Sequence, residues 1–270
     1  MINFCHIMPT KLIPQLSKYN NIHLTLAHLV ESDIEYRKYY ANISDIKIMD
    51  NSAFEMFKEN KPMYPSHQLV KLGKMINADY LVLSDYPNEH SSKTIESSKS
   101  LINEFKSEGF KTFFVPQSQQ HDIEDYIDCW EYALNNPDID LIGMSIIGAP
   151  NAFGVERGNK LQRFLSRWKI FQLLHERKLL DEQRDKNRIH MLGMVDGANE
   201  ISLVRDFHHY IYSWDSSAAV WTGLHNIKFD HSPTSLINGK FELPVDFSSN
   251  KNLNDDVIYN IQYISNLIQR

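Results

Sequence analysis

The amino-acid sequence predicts an α/β protein, a single (β/α)8 TIM-type barrel. Short apolar segments rich in Ile, Val, Leu and Phe alternate with amphipathic segments, a pattern typical of parallel strands joined by right-handed helical crossovers. Eight such apolar segments occur, and a length of 270 residues suits one barrel. A doubly wound open sheet would show the same alternation, but a count of eight strands favours closure into a barrel.

The predicted strands are the segments in which β-branched and other apolar residues cluster. They span Asn3–Met8, Ile22–Leu29, Ile46–Met49, Tyr80–Ser84, Lys111–Val115, Leu141–Ile147, Ile189–Met194 and Tyr210–Trp214. Apolar residues three and four positions apart indicate helices between most strands and after the last one. These helices span Ser66–Ile76, Thr94–Glu108, Ile123–Asn135, Asn159–Leu180, Asn199–Phe207 and Asn254–Ile268. No linker or internal repeat divides the pattern, so we expect one domain covering residues 1–270.

Composition narrows the class of protein. Hydrophobic residues make up 42% of the chain, enough for a sizeable core, which argues against global disorder. No signal-peptide pattern begins the chain, and no apolar stretch of about 18 residues is present, so we expect a cytoplasmic protein with no membrane partner. The two cysteines, Cys5 and Cys129, have no CxxC spacing. We therefore expect no disulfide framework, no metal site and no cofactor.

Charge is unevenly distributed along the chain. The net charge is −6, which argues against a surface that binds nucleic acid everywhere. The segment Asn151–His190, however, carries ten Lys and Arg against five Asp and Glu. Such a local excess indicates either a phosphate-binding footprint or a solvated helix face. The candidate nucleic-acid-binding residues on its predicted helix are Lys160, Arg163, Arg167 and Lys169.

Polar residues follow several predicted strands, and in a barrel the carboxyl ends of the strands form the catalytic mouth. Asp50, Asp85 and Asp215 follow strands three, four and eight, and Gln117 follows strand five. A single Asp after a strand commonly caps a helix or begins a turn. Three Asp and one Gln at the same rim are harder to explain as caps and predict an active site. Trp214, next to Asp215, is the tryptophan best placed to stack on a base.

Two carboxylates across a pocket suit the cleavage of a glycosidic bond. One attacks or stabilises the sugar carbon, and the other handles the proton of the leaving group, so we assign Asp50 and Asp215 as the catalytic pair. A further Asp and a Gln suit a purine, with Asp85 accepting from N1–H and the 2-amino group and Gln117 reaching the O6/N7 edge. The other candidate substrate-binding residues are His28, Phe54, Gly143 and Gly148.

Seven short motifs occur in order, each at a predicted strand end. They are Leu26-Ala27-His28-Leu29, Met49-Asp50-Asn51-Ser52-Ala53-Phe54-Glu55, Leu83-Ser84-Asp85, Val115-Pro116-Gln117, Ile142-Gly143-Met144, His190-Met191-Leu192-Gly193 and Trp214-Asp215-Ser216-Ser217. Together, from about Ile22 to Trp221, they resemble the queuine and archaeosine tRNA-guanine transglycosylase superfamily. The likeness is strongest to the short phage and bacterial members that insert 7-deazaguanines into DNA. No single motif is specific, and the order carries the resemblance.

The resemblance implies that guanine in nucleic acid is exchanged for a free 7-deazaguanine base such as preQ0. Position by position, Asp50 would manage protons on the base, Asp85 and Gln117 would read the purine edge, and Gly143 would offer a backbone contact. Asp215 would be the nucleophile that holds the nucleic acid through C1′, and we expect Ser216 and Ser217 after it to hydrogen-bond its carboxylate. Members of the family often dimerise, so the resemblance also implies a homodimer.

Departures from the family bear on the substrate. The tRNA enzymes carry a cysteine-rich zinc site near the C-terminus, and this chain has nothing resembling that site. We also expect no appended RNA-binding domain. Both features favour DNA over tRNA. The family's Asp-Ser-Gly-Gly-Phe-Gln motif reads Asp-Asn-Ser-Ala-Phe-Glu in this chain.

Two other functions suit the same residues. A barrel glycosidase or nucleoside hydrolase would use Asp50 and Asp215 on a small sugar and release free base by attack of water. An inactive transglycosylase-like subunit would only position a nucleic-acid partner.

Overall fold

A computed structural model describes residues 2–58, 61–156, 158–194, 196–236 and 245–269. Within these ranges eight strands form one parallel sheet in the order β1-β8-β7-β6-β5-β4-β3-β2. The strands are β1 (Asn3–His6), β2 (His23–Leu26), β3 (Lys47–Asp50), β4 (Tyr80–Val82), β5 (Lys111–Phe114), β6 (Leu141–Ser145), β7 (Ile189–Leu192) and β8 (Ile211–Ser216). With helices between the strands, this is the (β/α)8 TIM-type fold, and the predicted fold class is confirmed.

Helices of very different lengths connect the strands. The described helices are α1 (Ile13–Leu16), α2 (Ala27–Ser32), α3 (Ile34–Ala41), α4 (Ala53–Lys58), α5 (Ser66–Ile76), α6 (Ser91–Ser107), α7 (Ile123–Asn135), α8 (Gly148–Ala152), α9 (Lys160–Glu176), α10 (Glu200–Leu203), α11 (Ala218–Leu224) and α12 (Asp255–Gln269). Short 3-10 turns cover Thr10–Leu12, Ser17–Tyr19 and Arg205–Tyr210. None of the described helices is long and apolar enough to cross a membrane.

Two compact units make up the chain. One comprises Met1–Asn21 and Val155–Arg270, and the other comprises Ile22–Gly154. In the first unit β8 pairs with β1 and β7, and in the second β2 to β6 pair in chain order, all in parallel. Every residue of β2 and β6 is buried, as expected of parallel strands covered on both faces. The single-domain prediction for 1–270 stays a prediction.

In the second unit the strand ends present most of the predicted residues. β3 ends at Asp50, and Asp85 and Gln117 each lie three residues beyond the ends of β4 and β5. The prediction for the second strand was too long. β2 ends at Leu26 and α2 begins at the next residue, so His28 lies in a helix rather than on a strand.

In the first unit the last strand is longer than predicted. β8 contains Asp215 as its fifth residue, whereas the predicted strand ended at Trp214. Side chains two residues apart on a strand project to the same face, and so do residues in register on neighbouring strands. His190 is in register with Ser213, and Asp215 is in register with Cys5. Therefore His190, Ser213 and Asp215 share one face of the sheet.

His6, the last residue of β1, is a buried histidine. Its Nδ1 atom has no hydrogen-bond partner among the described residues. Burial lowers the pKa of His6 to about 3. In the unfolded chain this histidine binds a proton once the pH falls below ~6.5, the ordinary pKa of histidine. In the folded protein it stays neutral down to about pH 3, so between these two values only the unfolded state is protonated. Stability is unaffected by this group above about pH 6.5 and falls as the pH drops below it.

We predict that His6→Leu removes the contribution of this histidine to the pH dependence of the free energy of unfolding. Between about pH 6 and about pH 4, the free energy of unfolding of the variant should fall less steeply by about 1.4 kcal/mol per pH unit. Urea titrations at several pH values measure this slope. His67→Leu, at an exposed position of α5, is the matched control and should keep the parent slope. Equal slopes for His6→Leu and the parent would contradict the prediction.

Candidate active site

The Asp215 carboxylate is buried in the first unit and is held through one oxygen. His190 Nε2 lies 2.9 Å from Asp215 Oδ1, and the Gly193 backbone N–H donates to the same oxygen at 3.1 Å. On the other side of the imidazole, His190 Nδ1 lies 2.6 Å from Ser213 Oγ. Both hydrogen bonds that the described residues donate to Asp215 therefore reach Oδ1, and neither engages Oδ2.

The partners of Asp215 differ from those expected. Ser216 and Ser217 do not hold the carboxylate, and the Ser216 hydroxyl instead accepts from the Ala218 backbone N–H at 3.0 Å. The reason is the alternation of the strand, since Ser216 projects to the face opposite that of Asp215. His190 was present in one of the sequence motifs without a role. Only the register between β7 and β8 shows that it contacts Asp215.

The Gly193 peptide is fixed from its carbonyl side. Trp214 Nε1 donates to Gly193 O at 2.7 Å, and Arg167 Nη2 donates to the same oxygen at 3.0 Å. Arg167 is fully buried, forms two hydrogen bonds of 2.7 and 2.6 Å to Glu200, and lies over the Trp214 ring. Gly193 has a φ of 67°, in the left-handed region that favours glycine. Arg167 Nη1 also donates at 3.0 Å to the Leu192 carbonyl, which lies in the same peptide group as the Gly193 N–H, so Arg167 helps to orient that N–H.

The burial and contacts of Arg167 and Trp214 do not fit what the sequence predicted for these two residues. Arg167 is not part of a phosphate footprint, because its guanidinium is buried and bound to Glu200 and to backbone carbonyls. Trp214 is fully buried with its indole N–H engaged, so it cannot stack on a base. Of the other footprint candidates, Lys160 is exposed and Arg163 and Lys169 are half-buried. Those three residues stay candidates.

In the second unit Asp85 is buried between two side-chain amides. Asn51 Nδ2 donates to Asp85 Oδ1 at 2.9 Å, and Gln117 Nε2 donates to Asp85 Oδ2 at 2.7 Å. Asn51 also donates to the Leu83 carbonyl at 3.0 Å, which orients its amide. Burial raises the pKa of the Asp85 carboxyl, and the hydrogen bonds from Asn51 and Gln117 oppose this rise. Asp85 therefore belongs to a polar cluster rather than to a helix cap.

Gln117 and Gly148 lie close together beside this cluster. A Cβ atom added at Gly148 would lie 3.3 Å from Gln117 Oε1 and 3.2 Å from the Tyr126 hydroxyl, tighter than ordinary van der Waals contact. Gly148 begins α8, whereas Gly143 lies buried inside β6, two residues before the strand ends. Gly148 is therefore tightly packed against Gln117 and Tyr126. The expected approach of Gly143 and Gly148 to a base stays a prediction.

Asp50 belongs to a turn that brings His28 close to the end of β3. Asp50 is half-buried, and its Oδ2 accepts from the Ser52 backbone N–H at 3.2 Å. Ser52 Oγ lies 2.9 Å from His28 Nδ1. Ser52 has a φ of 54°, a conformation uncommon for a residue with a side chain. The structure describes the backbone of Phe54 in α4, but its side chain lies outside the described part.

The structure therefore gathers the predicted residues into separate groups. Asp85 and Gln117 are in direct contact, Asp50 and His28 are linked through Ser52, and Asp215 is held with His190. Sequence reasoning missed the roles of Asn51, His190 and Ser213, which show no distinctive spacing and are recognisable only from their contacts.

The two cysteines offer no nucleophile for this chemistry. Both are buried and free of disulfides, and burial raises the pKa of the Cys129 thiol to about 12. The reactive form of cysteine is the thiolate, which Cys129 does not form near neutral pH. Nor do His, Cys, Asp and Glu in the described ranges form a group of three or more that could hold a metal ion.

Comparison with known protein families and with curated proteins finds no significant match for this chain. A carboxylate that receives two N–H donors on one oxygen is held in a fixed orientation, and its other oxygen retains lone pairs for an electrophilic carbon. A buried carboxylate bound by amides suits recognition of N–H donors on a ligand.

We predict that Arg167→Met lowers the free energy of unfolding by about 3–5 kcal/mol, because it leaves the buried Glu200 without its partner. Urea denaturation measures the loss. The double variant Arg167→Met with Glu200→Leu should recover most of it, since no buried charge remains. Lys169→Met, half-buried on the same helix, is the control and should change stability by less than about 0.5 kcal/mol. Equal small effects at Arg167 and Lys169 would refute a structural role for the ion pair.

Proposed function

We propose that the protein is a base-exchanging guanine transglycosylase that acts on nucleic acid, with DNA favoured over tRNA. The observation that carries the proposal is the Asp215 centre, in which Oδ1 is held by His190 and the Gly193 N–H while Oδ2 receives no hydrogen bond from the described residues. A carboxylate presented in this way suits nucleophilic attack at a sugar carbon. The incoming base, by the resemblance stated above, is a 7-deazaguanine such as preQ0.

Base exchange on an intact strand requires that the sugar be held while one base leaves and another enters. In the first step Asp215 Oδ2 bonds to C1′ as the bond from C1′ to guanine N9 breaks, and the electron pair leaves with guanine. In the second step N9 of the incoming base bonds to C1′ and Asp215 departs as a carboxylate. Two displacements give net retention at C1′. The covalent intermediate also prevents water from attacking C1′, which would produce an abasic site. Asp50 is the group we assign to the proton of each base.

Recognition of the base is assigned to the Asp85 cluster. Asp85 accepts from N1–H and the 2-amino group of guanine, while Asn51 and Gln117 hold the carboxylate in place. Each carboxylate oxygen retains lone-pair capacity beyond the one amide bond it already accepts. Bases that lack the 2-amino group would leave part of this buried acceptor unpaired, which strongly disfavours them.

We predict that Asp215→Asn abolishes exchange but preserves nucleic-acid binding, because it keeps the shape of the side chain and removes its charge. Exchange is followed with labelled guanine incubated with DNA and, separately, with tRNA. Parent protein trapped on nucleic acid without an incoming base should show a covalent band on denaturing gels, and Asp215→Asn should not.

Asp50→Asn is the matched control for this prediction, since it should slow exchange and still form the band. A band that persists in Asp215→Asn and disappears in Asp50→Asn would reverse the two roles. Release of free base into water without exchange would replace the proposal with a nucleoside hydrolase. Binding without either reaction would indicate an inactive nucleic-acid-binding subunit.

The nucleic-acid footprint is assigned to Lys160, Arg163 and Lys169, the basic candidates on α9 that remain once Arg167 is excluded. We predict that reversing charge at Lys160, Arg163 and Lys169 weakens DNA binding and lowers its salt dependence by about one unit of slope per lost phosphate contact. Binding isotherms at several salt concentrations measure both quantities. The control is reversal of the exposed Lys38 and Lys99 in the second unit, which should leave the slope unchanged. An unchanged slope in the α9 variant would mean that these three residues are ordinary solvated surface charges. The homodimer and the cytoplasmic location stay predictions.

A further inference from the structure

We infer that His190 and Ser213 are positioning residues for Asp215. The carboxylate requires the His190 tautomer that carries its proton on Nε2, and Ser213 holds the ring through Nδ1. The inference rests on the proposed function, because it specifies how the assigned nucleophile is aimed. It adds two residues to the site, neither of which touches the substrate.

The tautomer follows from the donors and acceptors in the chain of contacts. An ionised carboxylate can only accept, so the 2.9 Å contact with Asp215 Oδ1 requires a proton on His190 Nε2. In a neutral imidazole the lone pair is then on Nδ1, and the Ser213 hydroxyl at 2.6 Å donates to it. Serine can rotate its hydroxyl hydrogen into this position at little cost. Asp215 therefore sets the ring state, and the Ser213 hydroxyl accommodates that state while holding the ring through Nδ1.

Burial makes this arrangement geometrically strict. His190 and Ser213 are fully buried, and they lie in register on the paired strands β7 and β8. A side chain held on two adjacent strands has little freedom to tilt, so the imidazole defines the direction of the bond to Oδ1. With the Gly193 N–H as a second donor from another direction, rotation of the carboxylate about its Cβ–Cγ bond is opposed. Oδ2 is the oxygen left for attack.

A nucleophilic role for Ser213 does not fit the same contacts. A serine–histidine–aspartate chain is also the arrangement of the serine hydrolases, in which the serine hydroxyl is open to substrate. Ser213 has no exposed surface, whereas Asp215 retains 3%. A substrate therefore cannot reach the Ser213 hydroxyl. Ser213 instead holds His190, and His190 holds the Asp215 carboxylate.

The first test reads the tautomer directly and needs no enzymatic activity. Long-range proton–nitrogen NMR correlations of protein labelled with 15N-histidine distinguish the two neutral tautomers, and the His190 signals are those lost in His190→Gln. We expect the Nε2–H pattern in the parent and in Ser213→Ala, and a shift toward mixed tautomers in Asp215→Ala. An Nδ1–H pattern in the parent, or an unchanged pattern in Asp215→Ala, would overturn the inference.

The second test separates positioning from simple structural support. His190→Leu should lower kcat for exchange by about 10–100-fold with little change in KM for DNA, the range seen when an orienting partner of a reactive group is lost. His190→Gln places an amide N–H within reach of Oδ1 and should restore much of kcat. If His190→Leu does not fold, Ser213→Ala provides the kinetic comparison. Equal losses in the Leu and Gln variants, or no loss in His190→Leu, would refute a positioning role.

The two tests also separate this inference from the proposed function. If the parent protein exchanges no base, the transglycosylase proposal fails, and the NMR measurement still decides whether Asp215 sets the His190 tautomer. If exchange occurs but the tautomer is Nδ1–H, the proposed function stands and the positioning inference fails.

Discussion

The buried ion pair between Arg167 and Glu200 is the interaction on which the Asp215 centre depends. Taking both charges out of water is costly, and such pairs stabilise a fold only when their remaining hydrogen-bonding groups are satisfied. Arg167 meets this requirement because it donates to both Glu200 oxygens and to the carbonyls of Leu192 and Gly193. The pair therefore links α9 and α10 to the end of β7. Its geometric effect passes to Asp215 through the Leu192–Gly193 peptide group, because Arg167 binds the Leu192 carbonyl and the Gly193 N–H reaches the carboxylate.

The Asp85 centre in the second unit is organised by a different principle. Its donors are neutral amides on side chains rather than an imidazole and a backbone N–H. Burial raises the pKa of Asp85, and the hydrogen bonds from the Asn51 and Gln117 amides oppose this rise by stabilising the ionised carboxylate. Two carboxylates in one fold thus receive different surroundings, which is how a protein assigns different chemical tasks to the same functional group.

Sequence patterns predicted the fold class and the positions of several site residues because both depend on local periodicity. The helices α5 and α7 match their predicted bounds, and Asp50 lies at the end of its strand as expected. Contacts between distant residues were beyond such reasoning. Arg167 is 33 residues from Glu200, and nothing in the spacing of α9 distinguishes it from its neighbour Arg163. Likewise, only strand register places His190 beside Asp215.

Ser52 adopts a left-handed backbone conformation, which glycine reaches without steric penalty and which is uncommon for a residue with a side chain. In return its hydroxyl gains a contact to His28 that glycine could not make. The side chain at position 52 therefore joins the turn after β3 to helix α2, so a substitution there would disturb two segments of the chain at once.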